Sequence, residues 1–530
     1  MKRFLSLALC LLMFAGMLAG CSSNTDTDPG TDDGTTTTPN DENNSTGDET
    51  TPSGEENYKK DIIFGLGGKI IALDPQANSN TQHNYYFRMV FDTPLDFNNE
   101  TQELEPNIVT EWSTEDAITY SFTLRDDVYF HNGEQLTADD VKFSYDRAPN
   151  TDSASTLGDL IKETRVIDDF HFEIELHSAN VDLPYLLTLP TASIINREAV
   201  TENELEGTGI GSGPWMLDSY EFGDYMKLVR NDNFWGEKAK AETFTLRYMP
   251  ENSARLIALE TGEIDICADP DALDLERVRT TDGLELQSYV GTSITYFAMN
   301  YKKEPFNDQN LRLAMAYGIN AQELIDVVRL GEAQPCLSLW GWNQYGYNGG
   351  TTPYEYDPEK AKEYLAAAGY SESNPFSFKL SVSAGDRKAC GELIQAQLKT
   401  IGVNVEIVEF DTAGLSTSTT NGEHEACLYG CGMNIFGDDS RRLICPGTGV
   451  NKSHYDNAEV NELMDLAVAE LDDTKRTEYY HEVQQILHDD GAYVPLYFSN
   501  GFFAVKEGTG GIDYYPTSHH DMSNVYIIEQ

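Results

Sequence analysis

Aromatic rings, guanidinium groups and carboxylates gather in two short stretches of this 530-residue chain. The first, LWGWNQYGYNGG at 339–350, sets Trp340, Trp342, Tyr345 and Tyr347 among glycines. Rings held in a loop can flank the side chains of a peptide or stack on a sugar; plain packing is the alternative. The second, LYGCGMNIFGDDSRRL at 428–443, carries Arg441 and Arg442, whose planar forks suit a ligand carboxylate. A surface ion pair with neighbouring acids is the preferred reading of those two arginines.

Signatures of catalysis are missing from the sequence. There is no Gly-x-Ser-x-Gly and no His-Glu-x-x-His pattern. GTGIGSG at 207–213 looks like a phosphate loop but lacks the Lys-Ser/Thr ending and a preceding strand. His519-His520-Asp521 has metal-binding types, yet two histidines near a terminus read better as solvent-facing. With 88 acidic residues some carboxyl pairs fall close by chance. A retaining glycosidase would need two of them about 5–5.5 Å apart in a cleft. No catalytic residue, metal site or cofactor is expected.

The N-terminus reads as an export signal. Lys2 and Arg3 precede an apolar run from Phe4 to Met17, shorter than the ~20 residues of a spanning helix. Leu18-Ala19-Gly20-Cys21 resembles the lipobox of bacterial lipoproteins, which makes Cys21 the lipidated residue and 1–20 the signal peptide. Residues 22–57 contain no aliphatic or aromatic residue, ten acids and no base. Such a segment buries too little to offset ordering entropy. As a coil of 36 residues it reaches roughly 30–36 Å, which suits a tether at 21–57 holding a body off a membrane. A Gram-positive surface is favoured, with a periplasm as the alternative.

Net charge is −52; setting aside two leader bases and ten tether acids leaves −44 on the body. Such a surface repels phosphate backbones, so no nucleic acid partner is expected. Beyond Cys10 and Cys21 stand Cys267, Cys336, Cys390, Cys427, Cys431 and Cys445. No matching His or Cys pair stands near Cys427 and Cys431 to complete a zinc site. Buried thiols or one local disulfide are expected.

Around these residues the periodicity alternates between strand and helix. A first strand begins at Asp61. TYSFTLRDDVYF alternates apolar and polar residues at Tyr120, Phe122, Leu124, Val128 and Phe130. His131-Asn132-Gly133 then turns the chain, and Thr137 caps a helix from Ala138 with Asp140 in its first turn. His131 reads as a turn residue. Pro358–Ala368 and Glu392–Ile401 read as helices closed by Gly369 and Gly402. Val460, Leu463, Met464, Ala467, Val468 and Leu471 form one apolar stripe. Interleaved helices and strands indicate an α/β body.

Eight segments in order carry a family resemblance. LEPNIVTEWS with YSFTLRDDVYFHNGEQLTADDVKFSYDR comes first, with Asn132 where Asp is usual. GSGPWML, LVRNDNFWG, ARLIALETGEIDI, NYKKEPFNDQNLRLAMAYGIN, YDPEKAKEYLAAAGY, IQAQLKTIGVNVEI and AYVPLYF follow. The chain resembles the extracellular solute-binding proteins, family 5, of ABC importers for dipeptides, oligopeptides and nickel. The match runs from about Ile62 to the C-terminus.

That resemblance implies a periplasmic-binding-protein type II fold, with two lobes, a hinge and an extra insert domain. Lobe I would comprise 57–88, 201–298 and 496–530, the insert 89–200, and lobe II 299–495, with crossovers near Asn300 and Pro495. The 128–147 stretch would then be scaffold. Ligand contacts are expected from Asn78, Ser79, Asn80 and Tyr85 in the first lobe, and from Trp340, Trp342, Tyr345, Asn434, Asp438 and Arg441 in the second. Peptide-binding members pair the ligand's α-ammonium with an aspartate after a Gly-Trp pair. Here Cys431 stands at the Trp position and Asn434 roughly at the aspartate, and an amide lacks the charge for that pair. The implied function is a lipid-anchored monomer on the extracytoplasmic face, handing a small solute, foremost a di- or oligopeptide, to a membrane permease. Oligosaccharide, opine-like solute and nickel are alternatives; a surface glycosidase and a transporter-free sensor rank lower.

Overall fold

The computed structural model describes residues 57–77, 81–151, 154–518 and 520–529. The leader, Cys21, the tether, and Asn78, Ser79 and Asn80 lie outside the described residues.

Two long antiparallel strands organise the rest. Leu284–Met299 and Tyr493–Lys506 pair along most of their length, but the ladder is interrupted between Val290 opposite Asn500 and Ile294 opposite Phe498. On one side of the break Tyr493–Lys506 takes Ile266–Ala268 as an antiparallel neighbour. Asp61–Leu66 lies parallel to it, followed by Thr243–Tyr248, Tyr225–Arg230 and Trp215–Glu221. On the other side Ala426–Gly432 pairs with residues 293–299 of Leu284–Met299. Ser377–Ser383 and Asn404–Phe410 continue that half in parallel. Ala333–Pro335 pairs with residues 497–499 as the eleventh strand, so that the two halves form one 11-stranded sheet.

Each half buries its own core. Phe64, Trp215, Phe244 and Phe503 close the first. In the second, helix Asp386–Lys399 presents Cys390, Ile394 and Leu398 at four-residue spacing against Leu380 and Val382. Each such aliphatic contributes about 1.5–3 kcal/mol by leaving water. A further second-half cluster holds Trp340, Met464 and Tyr480. These layers form the expected periplasmic-binding-protein type II arrangement. The change of core, however, does not fall at Asn300 and Pro495. Ile294, Tyr296 and Ala298 already belong to the second core, and so does Phe498 on the other strand. The change coincides with the break in the ladder between these two strands, where Ser499 pairs instead with Ala333 and Ser293 with Gly432.

The insert has a third core. Its antiparallel sheet runs Val109–Thr114, Thr119–Leu124, His171–Leu176, Ile161–Asp168. Phe122 and Phe172 face each other across it with ring centres 4.9 Å apart. Helix Ala138–Arg147 starts where Thr137 donates its backbone N–H to Asp140 Oδ2 at 3.0 Å, the reach-back half of a capping box. His131 is a connector: its Nε2 lies 3.0 Å from the Gly213 carbonyl, and its N–H donates to Gly211 at 2.9 Å. The GSGPW segment is also structural. A Cβ on Gly211 would stand 1.9 Å from the Val90 carbonyl oxygen, so only glycine lets the two backbones meet.

All six body cysteines are free thiols. Cys427 and Cys431 share the strand Ala426–Gly432. Four strand residues span about 13 Å, well beyond the reach of a disulfide. The local disulfide is therefore ruled out for this pair. No described helix is long and apolar enough to cross a membrane.

Candidate functional site

A cavity of about 600 Å³ is lined by residues of the first lobe, the insert and the second lobe. The first lobe contributes Asn84 from helix Thr81–Val90. The insert supplies Thr156 and Leu157, then Leu186, Leu189, Pro190 and Thr191 from two short helical turns. Opposite them the chain leaves strand Ala426–Gly432 and runs through Asn434 and Phe436 into the turns Gly437–Ser440 and Arg441–Ile444. This size lies within the range of about 300–1,000 Å³ usual for small-ligand sites.

The second-lobe wall is built from two interlocked ion pairs. Arg441 Nε donates to both oxygens of Asp438, at 2.8 and 3.0 Å, while its Nη1 reaches Asp465 at 2.7 Å. Arg442 grips Asp439 through Nε at 3.1 Å and Nη2 at 2.9 Å. Asn434 adds its backbone N–H and its amide Nδ2 to Asp439, both at 2.9 Å. One helical turn separates each acid from its arginine, so the Gly437–Ile444 turns set the geometry. Gly437 makes the turn possible, because a Cβ there would lie 2.4 Å from the Tyr480 ring. Burial pushes the Asp438 carboxyl up to about 7; Arg441 pulls it down and Asp182 pushes it up further.

Chemically, this wall offers compensated charge. Asp439 has its oxygens taken by Asn434 and Arg442, which leaves little for a ligand ammonium. Asp438 is also paired, through Arg441 Nε to both its oxygens, but its side chain is 19% exposed against 5% for Asp439, which makes it the more accessible acid. With the apolar Leu157, Leu186, Leu189 and Phe436 nearby, the cavity suits a compact solute with both polar ends and apolar parts. Among the described residues no group of three or more His, Cys, Asp or Glu is arranged to hold a metal.

Of the residues singled out from sequence, Asn434, Asp438 and Arg441 line this cavity. Tyr85 does not; it is 2% exposed and packs against Phe64 and Phe503. Trp340 is fully buried beside Tyr480, its ring centre 6.0 Å away. Trp342 is 41% exposed and stands apart from the cavity lining. Tyr345 bridges instead: its hydroxyl donates to Asp473 Oδ1 at 2.8 Å and its ring faces Tyr185 of the insert. The insert's whole contribution was missed. Leu186 and Thr191 carry no local signal, since apolar and small polar residues in a turn are the commonest of patterns.

The model for Bacterial extracellular solute-binding proteins, family 5 Middle, matches residues 103–451. The dipeptide-binding protein of Escherichia coli K12 is 27% identical over 510 residues, covering 88% of this chain and 95% of that one. The solved structure of the ABC transporter-associated periplasmic binding protein DppA from Helicobacter pylori, in complex with the peptide STSA, is 25% identical. It superposes with a TM-score of 0.73 over 89% of this chain and 99% of that one. The ABC transporter substrate binding protein CtaP from Listeria monocytogenes shares the fold, with a TM-score of 0.80, 23% identity, and coverage of 89% and 100%.

Proposed function

The chain belongs to the bacterial extracellular solute-binding proteins of family 5, and from that membership we propose that it captures a di- or oligopeptide between its lobes for an ABC permease. The observation that carries this reading is the roughly 600 Å³ cavity shared by the insert and the second lobe. Relatives of the family are binding proteins rather than enzymes, and the protein alters nothing in what it carries. A peptide's carboxylate would meet Arg441 or Arg442, and its ammonium would meet Asp438. Phe436 and the insert leucines would flank its side chains. We place the hinge at the ladder break near 290–294 and 498–500. Solute contacts on both walls would favour the shut form. Lipidation at Cys21, with 22–57 as the tether, would keep the binding body beside its permease as a monomer. Oligosaccharide, opine-like solute and nickel stay as alternatives, because Asn434 supplies no charge where peptide binders carry one.

Native mass spectrometry of the purified protein tests the reading in one step. Co-purified mass matching short peptides is expected, together with a raised thermal midpoint on adding a di- and tripeptide library. No bound peptide and no shift with that library, against a shift with glycans or nickel, would move the assignment to those solutes.

A further inference from the structure

The insert and the second lobe are also joined beside the cavity by a charged contact. Asp182 and Arg476 form an ion pair with side chains 1% and 5% exposed. The other Asp182 oxygen accepts the backbone N–H of Asp438 at 3.1 Å. One residue earlier, Val181 donates its N–H to the Val468 carbonyl at 2.9 Å. The Arg476 guanidinium carbon stands 3.8 Å from the centre of the Tyr345 ring. Its Nε has no hydrogen-bond partner among the described residues.

We infer that Asp182 is a positioning residue for solute capture: with Arg476 it latches the insert onto the second lobe when the clamp shuts, and it fixes the turn carrying Asp438. The inference rests on the binding function proposed above. Its physical ground is the cost of burying charge. Two ions taken out of water lose hydration, and an apolar contact of the same volume would weld the surfaces more firmly. The unpartnered Nε adds to that cost. Such a pair makes sense across surfaces that part, because each charge rehydrates on opening and the pair restores the register on closing. The insert is then a jaw of the clamp as well as scaffold.

Labels at the exposed positions Glu115 of the insert and Glu462 of the second lobe report the gap. In protein without added solute, Asp182→Asn is expected to deplete the short-distance population about tenfold. The thermal midpoint should hold, since Arg476 hydrates once the jaws part. Arg476→Gln should deplete it equally, and the double variant no further than either alone. Distances unmoved by both variants, or a collapsed midpoint with the short distance kept, would overturn the latch and mark a permanent weld. With a di- and tripeptide library as probe, dissociation from Asp182→Asn should be about tenfold faster at unchanged association; unchanged dissociation would overturn the positioning role. Should the unsubstituted protein bind nothing in that library, the proposed peptide function fails, while the distances without solute still decide the latch.

Discussion

Burial holds the Asp438 carboxyl up to about 7, against an ordinary value near 3.8, although Arg441 opposes the shift. Between those pH values the folded protein keeps a proton that the unfolded chain has lost. Stability therefore falls as pH rises from about 4 to about 7 on account of this group. Asp438→Asn removes that term, and Arg441 still has Asp465 as a partner. Thermal melts should show the variant more stable than the parent at pH 8 by on the order of 1–2 kcal/mol. The gain should vanish below pH 4.5. A variant less stable at pH 8 would mean that the Arg441 pair outweighs desolvation. At this scale the sequence was informative about residue type and silent about facing. Asn434, Asp438 and Arg441 could be singled out as polar groups in a loop. Tyr85 could not be told from Asn84, its neighbour about 100° round the same helix, which is the one that faces the cavity. Asp182 gave no signal at all. It sits before Leu183-Pro184 like an ordinary helix cap, and its partner Arg476 is 294 residues away.

Elements are legible where their ends have chemistry of their own. Thr137 with Asp140, and Asp357 before Pro358, mark helix starts that the structure keeps. The helix read from Glu392 in fact begins at Asp386; its first turn, Asp386-Arg387-Lys388-Ala389, buries no residue, and Cys390 is its first buried position. The run from Thr119 to Phe130 keeps its alternation, with Val128 and Phe130 buried, although the strand itself ends at Leu124. Alternation thus reports burial beyond the point where pairing stops. Close backbone approach is the feature that no periodicity shows, and Gly211 is its test. With a Cβ only 1.9 Å from the Val90 oxygen, Gly211→Ala must push the 211–213 segment off helix Thr81–Val90 and disturb the His131 contacts. A loss of about 1–3 kcal/mol is expected, as for other overpacked sites. Chemical denaturation would read it as a lower midpoint at unchanged slope. An unchanged midpoint would show that the two backbones can separate freely.

The whole molecule was recognisable from eight ordered segments, yet its division was not. Both crossovers run through continuous strands, and their only local mark is a short run of small polar residues, Gly291-Thr292-Ser293 and Ser499-Asn500-Gly501, between apolar flanks. What composition does state about the whole is charge, and charge acts on the clamp as a unit. A body at −44 repels itself, and shutting two acidic lobes raises that repulsion. The many surface ion pairs offset it weakly, since exposed pairs contribute about 0–1 kcal/mol each. The Asp182–Arg476 pair is buried and escapes screening. Raising ionic strength from about 0.01 M to about 1 M shortens the screening length from about 30 Å to about 3 Å. Self-repulsion across the lobes should fade while the buried contacts persist. Sodium chloride is therefore expected to raise the thermal midpoint by several degrees and to enlarge the short-distance population of the clamp together. A midpoint that drops with salt would mean that exposed ion pairs, rather than net charge, govern this surface. A midpoint that rises while the jaws stay as far apart would separate the stability of the lobes from the force that shuts them.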